Sequence, residues 1–135
     1  MSQISSYEEH ILKVLKKEKI PFEREHAFID LRKGTYRFDI WIESKNICIE
    51  IQGEQHYKYV GKFHKTQSDF LKGKERDRRK ISYCLAHGIT LYCIPYWEVV
   101  DIQTFADVCA PRHLARDKFH NDKIWREYQK SISKK

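Results

Sequence analysis

The sequence predicts an α/β fold with a small mixed β-sheet flanked by helices. Three observations indicate it: a helical apolar pattern near the N-terminus, two neighbouring segments that alternate as strands, and a helix followed by a strand in the second half. This order of elements is typical of small α/β domains. The chain has 135 residues, 41% of them hydrophobic, which suffices for one buried core and would be cramped as two domains.

The first helix is predicted from a capping box and an apolar stripe. Ser6 would be the N-cap residue, and Glu9 would be the acid that completes the box. Apolar residues at helical spacing follow within 11–15, and Pro21 ends the helix. Residues 22–30 are then predicted to form a strand.

A β-hairpin is predicted next. Residues 35–43 and 46–52 both alternate between apolar and polar side chains, and the residues between them favour a turn. A two-residue turn at 44–45 would place Asp39 opposite Glu50 on one face of the hairpin, with the isoleucine-rich face toward the core.

The second half begins with a long polar loop, predicted for residues 53–74. A helix should run from about Gln67 or Lys74 to His87, and Gly88 should end it. The remaining predicted elements are a buried strand at 89–94, a short helix near 101–108 and a basic helix after Pro111.

The charge of the chain is concentrated in two zones. The formal net charge is +7; residues 58–80 hold nine basic and three acidic side chains, net +6, and residues 111–135 hold eight and three, net +5. Aromatic residues are interleaved with the cations between positions 57 and 70. Clustered Lys and Arg are typical of surfaces that bind nucleic-acid phosphates. The alternative is a set of solvated cations with no ligand.

Nothing in the sequence indicates a membrane protein. No apolar run approaches the ~18–20 residues of a membrane span, and the N-terminus lacks a signal-peptide pattern. We therefore expect a cytoplasmic, intracellular protein with no membrane partner. The four cysteines are widely spaced, which indicates neither a disulfide framework nor a zinc ribbon.

Asp39 and Glu50 are candidate metal ligands. Two carboxylates opposite each other on a hairpin repel at a cost of up to ~1 kcal/mol, and a divalent cation removes that cost. Oxygen ligands on adjacent strands suit a magnesium-like ion. The alternative is a solvent-facing strand surface, although Asp is depleted from strands.

Glu8 is a third candidate. Glu9 has a structural role in the predicted capping box, whereas Glu8 lies at the edge of the apolar stripe that faces the sheet. A carboxylate directed toward the protein requires a partner. The alternative is a first-turn acid that the helix dipole favours.

The segment FD-(x10)-EIQ, from Phe38 to Gln52, resembles the PD-(D/E)XK signature of restriction-endonuclease-like nucleases. Phe38 stands at the motif's Pro, and Gln52 at its Lys. Together with IEIQGEQHY (49–57), RDRRKISYC (76–84) and HGITLYCIPYWE (87–98), the chain is similar to phage-borne and very-short-patch-repair-like endonucleases and to restriction-fold homing endonucleases. The resemblance implies a restriction-endonuclease-like nuclease core at 1–98. Residues 99–135 would be a basic helical extension packed on the same single domain.

The resemblance also implies a metal site. Asp39, Glu50 and the backbone carbonyl of Ile51 would bind Mg²⁺, for which Mn²⁺ could substitute, and Glu8 would add the acid of the first helix, directly or through water. Gln52 would orient the attacking water or contact the scissile phosphate, but a glutamine lacks the positive charge of lysine.

Two further side chains are candidates for catalysis. Lys80 could supply the missing charge, although Lys80 and Asp77 are expected on an exposed helix face. His56 could be a proton donor to the leaving oxygen, a phosphate contact, or an ordinary loop histidine. The candidate DNA-binding residues are Arg37, Lys58, Lys62, Lys65, Lys72, Lys74, Arg76, Arg78 and Arg79.

The expected function is metal-dependent hydrolysis of double-stranded DNA, as a site-specific endonuclease of homing or phage type. The alternatives are a structure-selective repair or junction-resolving nuclease and a catalytically weak DNA-binding module. Cutting both strands needs two hydrolyses, so a homo-oligomer, dimer or tetramer, is expected. The segment that begins at Pro111 is the candidate assembly element, and the alternative is a basic helix that lies on its own domain or on DNA.

Overall fold

A four-stranded mixed sheet forms the centre of the structure. The computed structural model describes residues 5–53 and 67–115, without the side chains at 67, 69 and 70. The strands lie in the order β1-β2-β3-β4; the first two pairs are antiparallel and β3 pairs with β4 in parallel. The α/β prediction is therefore confirmed. The elements are α1 (Ser6–Lys17), β1 (Glu23–Ala27), β2 (Arg37–Ile42), β3 (Ile47–Gln52), α2 (Gln67–Ala86), β4 (Thr90–Pro95) and α3 (Phe105–Val108).

Helix α1 begins one residue earlier than predicted. Ser5 is the N-cap residue, and its hydroxyl accepts a hydrogen bond from the Glu8 amide at 3.1 Å. The predicted capping box of Ser6 and Glu9 is therefore wrong. Glu9 is exposed instead and lies 3.8 Å from Lys13. The predicted apolar stripe at 11–15 is buried against the sheet.

The hairpin has the predicted register but a different turn. Trp41 pairs with Cys48 and Ile42 pairs with Ile47. Residues Glu43–Lys45 form a 3-10 turn, and Asn46 takes a left-handed conformation with φ of 56°. The connection has four residues, 43–46, instead of the predicted two. The extra residues are Glu43 and Asn46, one from the end of each predicted strand, so the pairing of the remaining residues is unchanged.

Both faces of the sheet are covered. Ile40, Ile42, Ile47 and Ile49 pack with α1, as the alternation predicts. The opposite face, expected to be polar, is also buried: Trp41, Cys48, Cys84 of α2 and Cys93 of β4 form a second apolar cluster. Phe38 joins this second cluster rather than that of Ile40, so the regular alternation of β2 is interrupted between these two residues.

Helix α2 ends at Ala86, one residue before the predicted His87, and Gly88 follows with φ of +68°. Strand β4 comes next and is shifted by one residue, since it spans Thr90–Pro95 and the predicted strand spans 89–94. Beyond it, Val99, Ile102 and Val108 are buried in the cluster that contains α1. The beginning of the predicted C-terminal extension therefore contributes to the central core.

The structure describes only the first residues of the predicted basic C-terminal helix. Pro111–His113 form a 3-10 turn, and residues 116–135 lie outside the described part. Most of the predicted loop, residues 54–66, lies outside it as well, while residues 67–74 belong to α2. Among the described helices, none combines the length and the apolar character needed to cross a membrane.

Candidate active site

Asp39 and Glu50 meet where β2 and β3 separate. The paired residues of these strands end at Ile40 with Ile49. Beyond that point, the Asp39 amide donates to Glu50 Oε2 at 3.0 Å, and the Ile51 amide donates to Asp39 Oδ2 at 2.8 Å. Each of these backbone amides thus donates to a side-chain carboxylate instead of to a carbonyl of the neighbouring strand. The structure brings together the two acids that the hairpin register predicts.

Helix α2 adds a lysine to this pair. Lys80 Nζ donates to Glu50 Oε1 at 2.5 Å and to the Arg37 carbonyl at 2.5 Å. The ammonium also lies 5.2 Å from the centroid of the Phe38 ring. Lys80 is 8% exposed, so the expectation of an exposed helix face is wrong for this residue. Its ammonium group joins both strands of the hairpin to the helix.

Burial and charge shift the acid–base behaviour of the site. Burial, and then the neighbouring Glu50 carboxylate, raise the pKa of Asp39 well above its ordinary value. Burial opposes the charged form of Lys80, but the Glu50 carboxylate outweighs it, and the pKa of Lys80 is raised. Asp39 therefore favours a bound proton, or another cation in its place, while Lys80 stays charged.

The inward face of α2 carries further charged residues. Lys74, Asp77 and Lys80 follow one another at intervals of three residues and are 3%, 8% and 8% exposed. Asp77 lies close enough to contribute to the raised pKa of Lys80. The expected exposed position of Asp77 is therefore wrong, and Lys74 is buried rather than part of an exposed basic surface. These three residues and buried Cys84 follow one another at helical spacing, which marks one face of α2. That spacing is the sequence signal for the buried face, and the charged residues on it concealed the signal.

Gln52 is buried at the end of β3. It is 3% exposed and lies opposite Pro95 of β4 in the parallel ladder. Gln52 is thus within the protein, two residues beyond Glu50, at the position where the resemblance expects a lysine.

Glu8 has a different partner from the one expected. It is 8% exposed, and its Oε2 atom accepts from Arg24 Nε of β1 at 2.7 Å. Within 5–53 and 67–115, no three His, Cys, Asp or Glu side chains are close enough together to hold a metal ion. Glu8 therefore does not form a three-acid cluster with Asp39 and Glu50.

The donor set nevertheless fits a magnesium-like ion. Mg²⁺ is commonly bound through one or two carboxylates together with waters and substrate phosphate oxygens, rather than by a full protein cage. Asp39, Glu50 and the Ile51 carbonyl offer such a partial set, and the neighbouring Glu50 carboxylate is one cause, after burial, of the raised pKa of Asp39. Because Lys80 bonds Glu50 Oε1, a metal bound there would compete with its ammonium.

The remaining predicted DNA-binding and catalytic residues differ in exposure, in their acidic neighbours and in whether the structure describes them. Arg37, Lys72, Arg76 and Arg78 are exposed. The Glu75 carboxylate lies 3.8 Å from Arg78 and 3.3 Å from half-buried Arg79, and it offsets part of their charge. The predicted residues outside the described part are His56, Lys58, Lys62 and Lys65.

Comparisons with known proteins give two viral relatives. The chain is 43% identical over 68 residues to "Uncharacterized protein 094L" of Frog virus 3 (isolate Goorha), a match that covers 50% of this chain and 43% of the relative. It is 34% identical over 76 residues to "Uncharacterized protein 307L" of Invertebrate iridescent virus 6, covering 55% of this chain and 38% of the relative. The matches thus span less than half of each relative. No family model matches the chain, and no solved structure matches it significantly.

Proposed function

We propose that the protein is a metal-dependent DNA endonuclease with a restriction-endonuclease-like core that hydrolyses phosphodiester bonds, with site-specific double-strand cleavage as its activity. The observation that carries this proposal is the Asp39–Glu50–Lys80 cluster. The Lys80 ammonium donates to the Glu50 carboxylate at 2.5 Å. Backbone amides hold the two carboxylates together, because the Asp39 amide donates to Glu50 at 3.0 Å and the Ile51 amide donates to Asp39 at 2.8 Å. Such a cluster combines ligands for a divalent cation with a fixed positive charge, and both can stabilise the negative charge that develops during phosphodiester hydrolysis.

In this proposal, Asp39, Glu50 and the Ile51 carbonyl hold Mg²⁺ or Mn²⁺. The ion, when bound, stabilises negative charge on the phosphate and lowers the pKa of a coordinated water. Lys80 takes the role of the motif lysine, because its ammonium lies next to the Glu50 carboxylate and supplies the positive charge that the Gln52 side chain lacks. Gln52 has an amide that can orient a water molecule. The exposed cations provide the phosphate contacts with double-stranded DNA.

Assembly and location follow from the substrate. One cluster hydrolyses one strand, so concerted cleavage of both strands requires two copies of the chain in a dimer or tetramer. A DNA substrate also fits the intracellular location that the sequence predicts.

The test is cleavage of supercoiled plasmid by the full chain with Mg²⁺, with Mn²⁺ and with chelator. Asp39→Asn and Glu50→Gln should each lower the cleavage rate at saturating Mg²⁺ by at least about a hundredfold, because a missing ligand removes transition-state stabilisation. Glu43→Gln is the matched control, since Glu43 is an exposed acid in the turn of the same hairpin. DNA binding should persist in all three variants. Cleavage by Asp39→Asn at the Glu43→Gln rate would contradict the assignment.

The form of the product separates the possible substrates. Linear plasmid cut at one position supports site-specific cleavage, whereas preference for a four-way junction or a mismatched duplex supports a structure-selective nuclease. The Lys80–Glu50 ion pair favours a second candidate function, a DNA-binding module with weak catalysis, because the ammonium bonds the carboxylate that a metal would use. Tight DNA binding without metal-dependent cleavage would select this second candidate.

A further inference from the structure

Two arginines from distant parts of the chain lie over one tyrosine ring. Arg32 belongs to the 3-10 turn Arg32–Gly34 that follows β1, and Arg76 belongs to α2. Their guanidinium carbons are 5.7 Å and 5.8 Å from the centroid of Tyr36, the residue that precedes β2. Arg37 follows Tyr36 directly and is exposed, as Arg32 and Arg76 are. We call Arg32, Tyr36, Arg37 and Arg76 the guanidinium patch.

The arginines of this patch have no acidic partner in the part of the chain that the structure describes. In residues 5–53 and 67–115, no carboxylate lies within salt-bridge distance of Arg32, Arg37 or Arg76. Other arginines differ: Arg24 bonds Glu8, and the two neighbouring arginines of α2 lie near a glutamate. Within the described residues, the two guanidinium groups over Tyr36 and the neighbouring Arg37 therefore have no carboxylate partner, which favours the binding of an anion there.

The geometry selects the kind of anion. A guanidinium group that lies over an aromatic ring uses its face for that contact and keeps its N–H donors at its edge. Those edge donors match two oxygens of one phosphate, and the ring restricts the side-chain freedom that binding would otherwise remove. The patch is thus suited to a phosphate oxyanion.

The patch borders the candidate active site. Arg37 is two residues before Asp39, and its carbonyl accepts the hydrogen bond from Lys80 that also reaches Glu50. An anion on the patch would therefore lie near the N-terminal end of β2, the end at which Asp39 approaches Glu50.

We propose that the guanidinium patch binds backbone phosphates of the DNA strand next to the phosphate that is cut. Arg32 and Arg76, oriented by Tyr36, each bind a phosphate through paired N–H donors, and Arg37 extends the contact toward Asp39. This inference rests on the proposed function, since it takes DNA as the ligand. Arg32 and Tyr36 were not among the DNA-binding residues that the sequence predicts. Arg37 and Arg76 were, and the patch gives them one shared role, the binding of phosphates beside the cleaved bond.

The test measures binding of a fluorescent DNA duplex to the full chain by anisotropy at several salt concentrations, in chelator. Arg32→Lys and Arg76→Lys keep the charge but remove the paired donors, so each should weaken binding by about tenfold at one salt concentration. The double variant Arg32→Ala/Arg76→Ala should also reduce the log–log salt slope, by about 0.9 for each phosphate that the protein no longer neutralises. Circular dichroism checks that each variant is folded.

Lys45→Ala is the matched control. Lys45 is an exposed cation 5.6 Å from the ring centroid of Phe105, in the turn at the opposite end of β2. Its removal should leave affinity within about twofold of the wild type and the slope nearly unchanged, because one exposed charge away from the bound DNA contributes little.

The outcomes separate the two proposals. If Arg32→Lys and Arg76→Lys bind DNA as Lys45→Ala does, the patch proposal is overturned, while metal-dependent cleavage by the wild type would keep the proposed function. If the wild type binds no DNA at any salt concentration, both proposals fail. Loss of binding by the two lysine variants, with Lys45→Ala unaffected, supports the patch even if no cleavage is found.

Discussion

Removal of the Lys80 ammonium should destabilise the protein strongly. Its Nζ atom bonds Glu50 Oε1 and the Arg37 carbonyl, and the Lys80 and Glu50 side chains are only 10% and 11% exposed. Lys80→Met keeps an unbranched side chain of similar length but removes the charge and the donors. The Glu50 carboxylate is then left buried beside Asp39 without its cation.

The expected loss in free energy of unfolding is about 3–4 kcal/mol at pH 7. Breaking a buried ion pair by removing one partner costs about 3–5 kcal/mol. The lower part of that range is expected, because both side chains keep about a tenth of their surface exposed and water partly compensates the unpaired carboxylate.

The assay is urea unfolding at pH 7, followed by circular dichroism in chelator. Lys13→Met is the control, because the Lys13–Glu9 pair is 3.8 Å long with side chains 76% and 59% exposed; it should change stability by less than about 0.5 kcal/mol. When Mg²⁺ replaces the chelator, it should stabilise Lys80→Met more than the wild type, since the ion would no longer compete with the ammonium. A Lys80→Met protein as stable at pH 7 as Lys13→Met would refute the buried pair.

Two further predictions concern stability alone. Gly88→Ala should lower the free energy of unfolding by about 1 kcal/mol, because Gly88 has φ of +68°, although an added Cβ meets nothing within 4 Å. Gly73→Ala inside α2, where an added Cβ also meets nothing within 4 Å, should raise the free energy of unfolding by about 0.5–1 kcal/mol. Urea midpoints of the two variants that move in the same direction would contradict this. The amides of Gln103 and Thr104 lower the pKa of Asp107 below its ordinary value of 3.8. Its contribution to stability is therefore complete above that value and is lost as the pH falls through the lowered pKa, a loss that Asp107→Asn should abolish in acid unfolding curves.

The hairpin and the proximity of its two acids follow from the local sequence. Strand periodicity is local: alternation in 35–43 and 46–52 predicts which residues share a face, and a short connection limits the register. Asp39 and Glu50 are close for this reason, although the turn between the strands differs from the predicted one. Isoleucine alternation likewise predicted the face that packs on α1. These features depend on neighbours along the chain, which is why a single sequence suffices for them.

The covering of the opposite face of the sheet could not be predicted in this way. The inward positions of α2 include Lys74, Asp77 and Lys80, so an apolar stripe does not mark the face that docks on the sheet. Charged residues occupy it because Glu50 compensates the Lys80 ammonium across 30 positions of sequence. The placement of Arg76 of α2 over Tyr36 depends on the same docking, whereas Arg32 is only four residues from that ring. Hydrophobic periodicity reports which residues avoid water, but the pairing of buried charges is a long-range energy that only the assembled fold reveals.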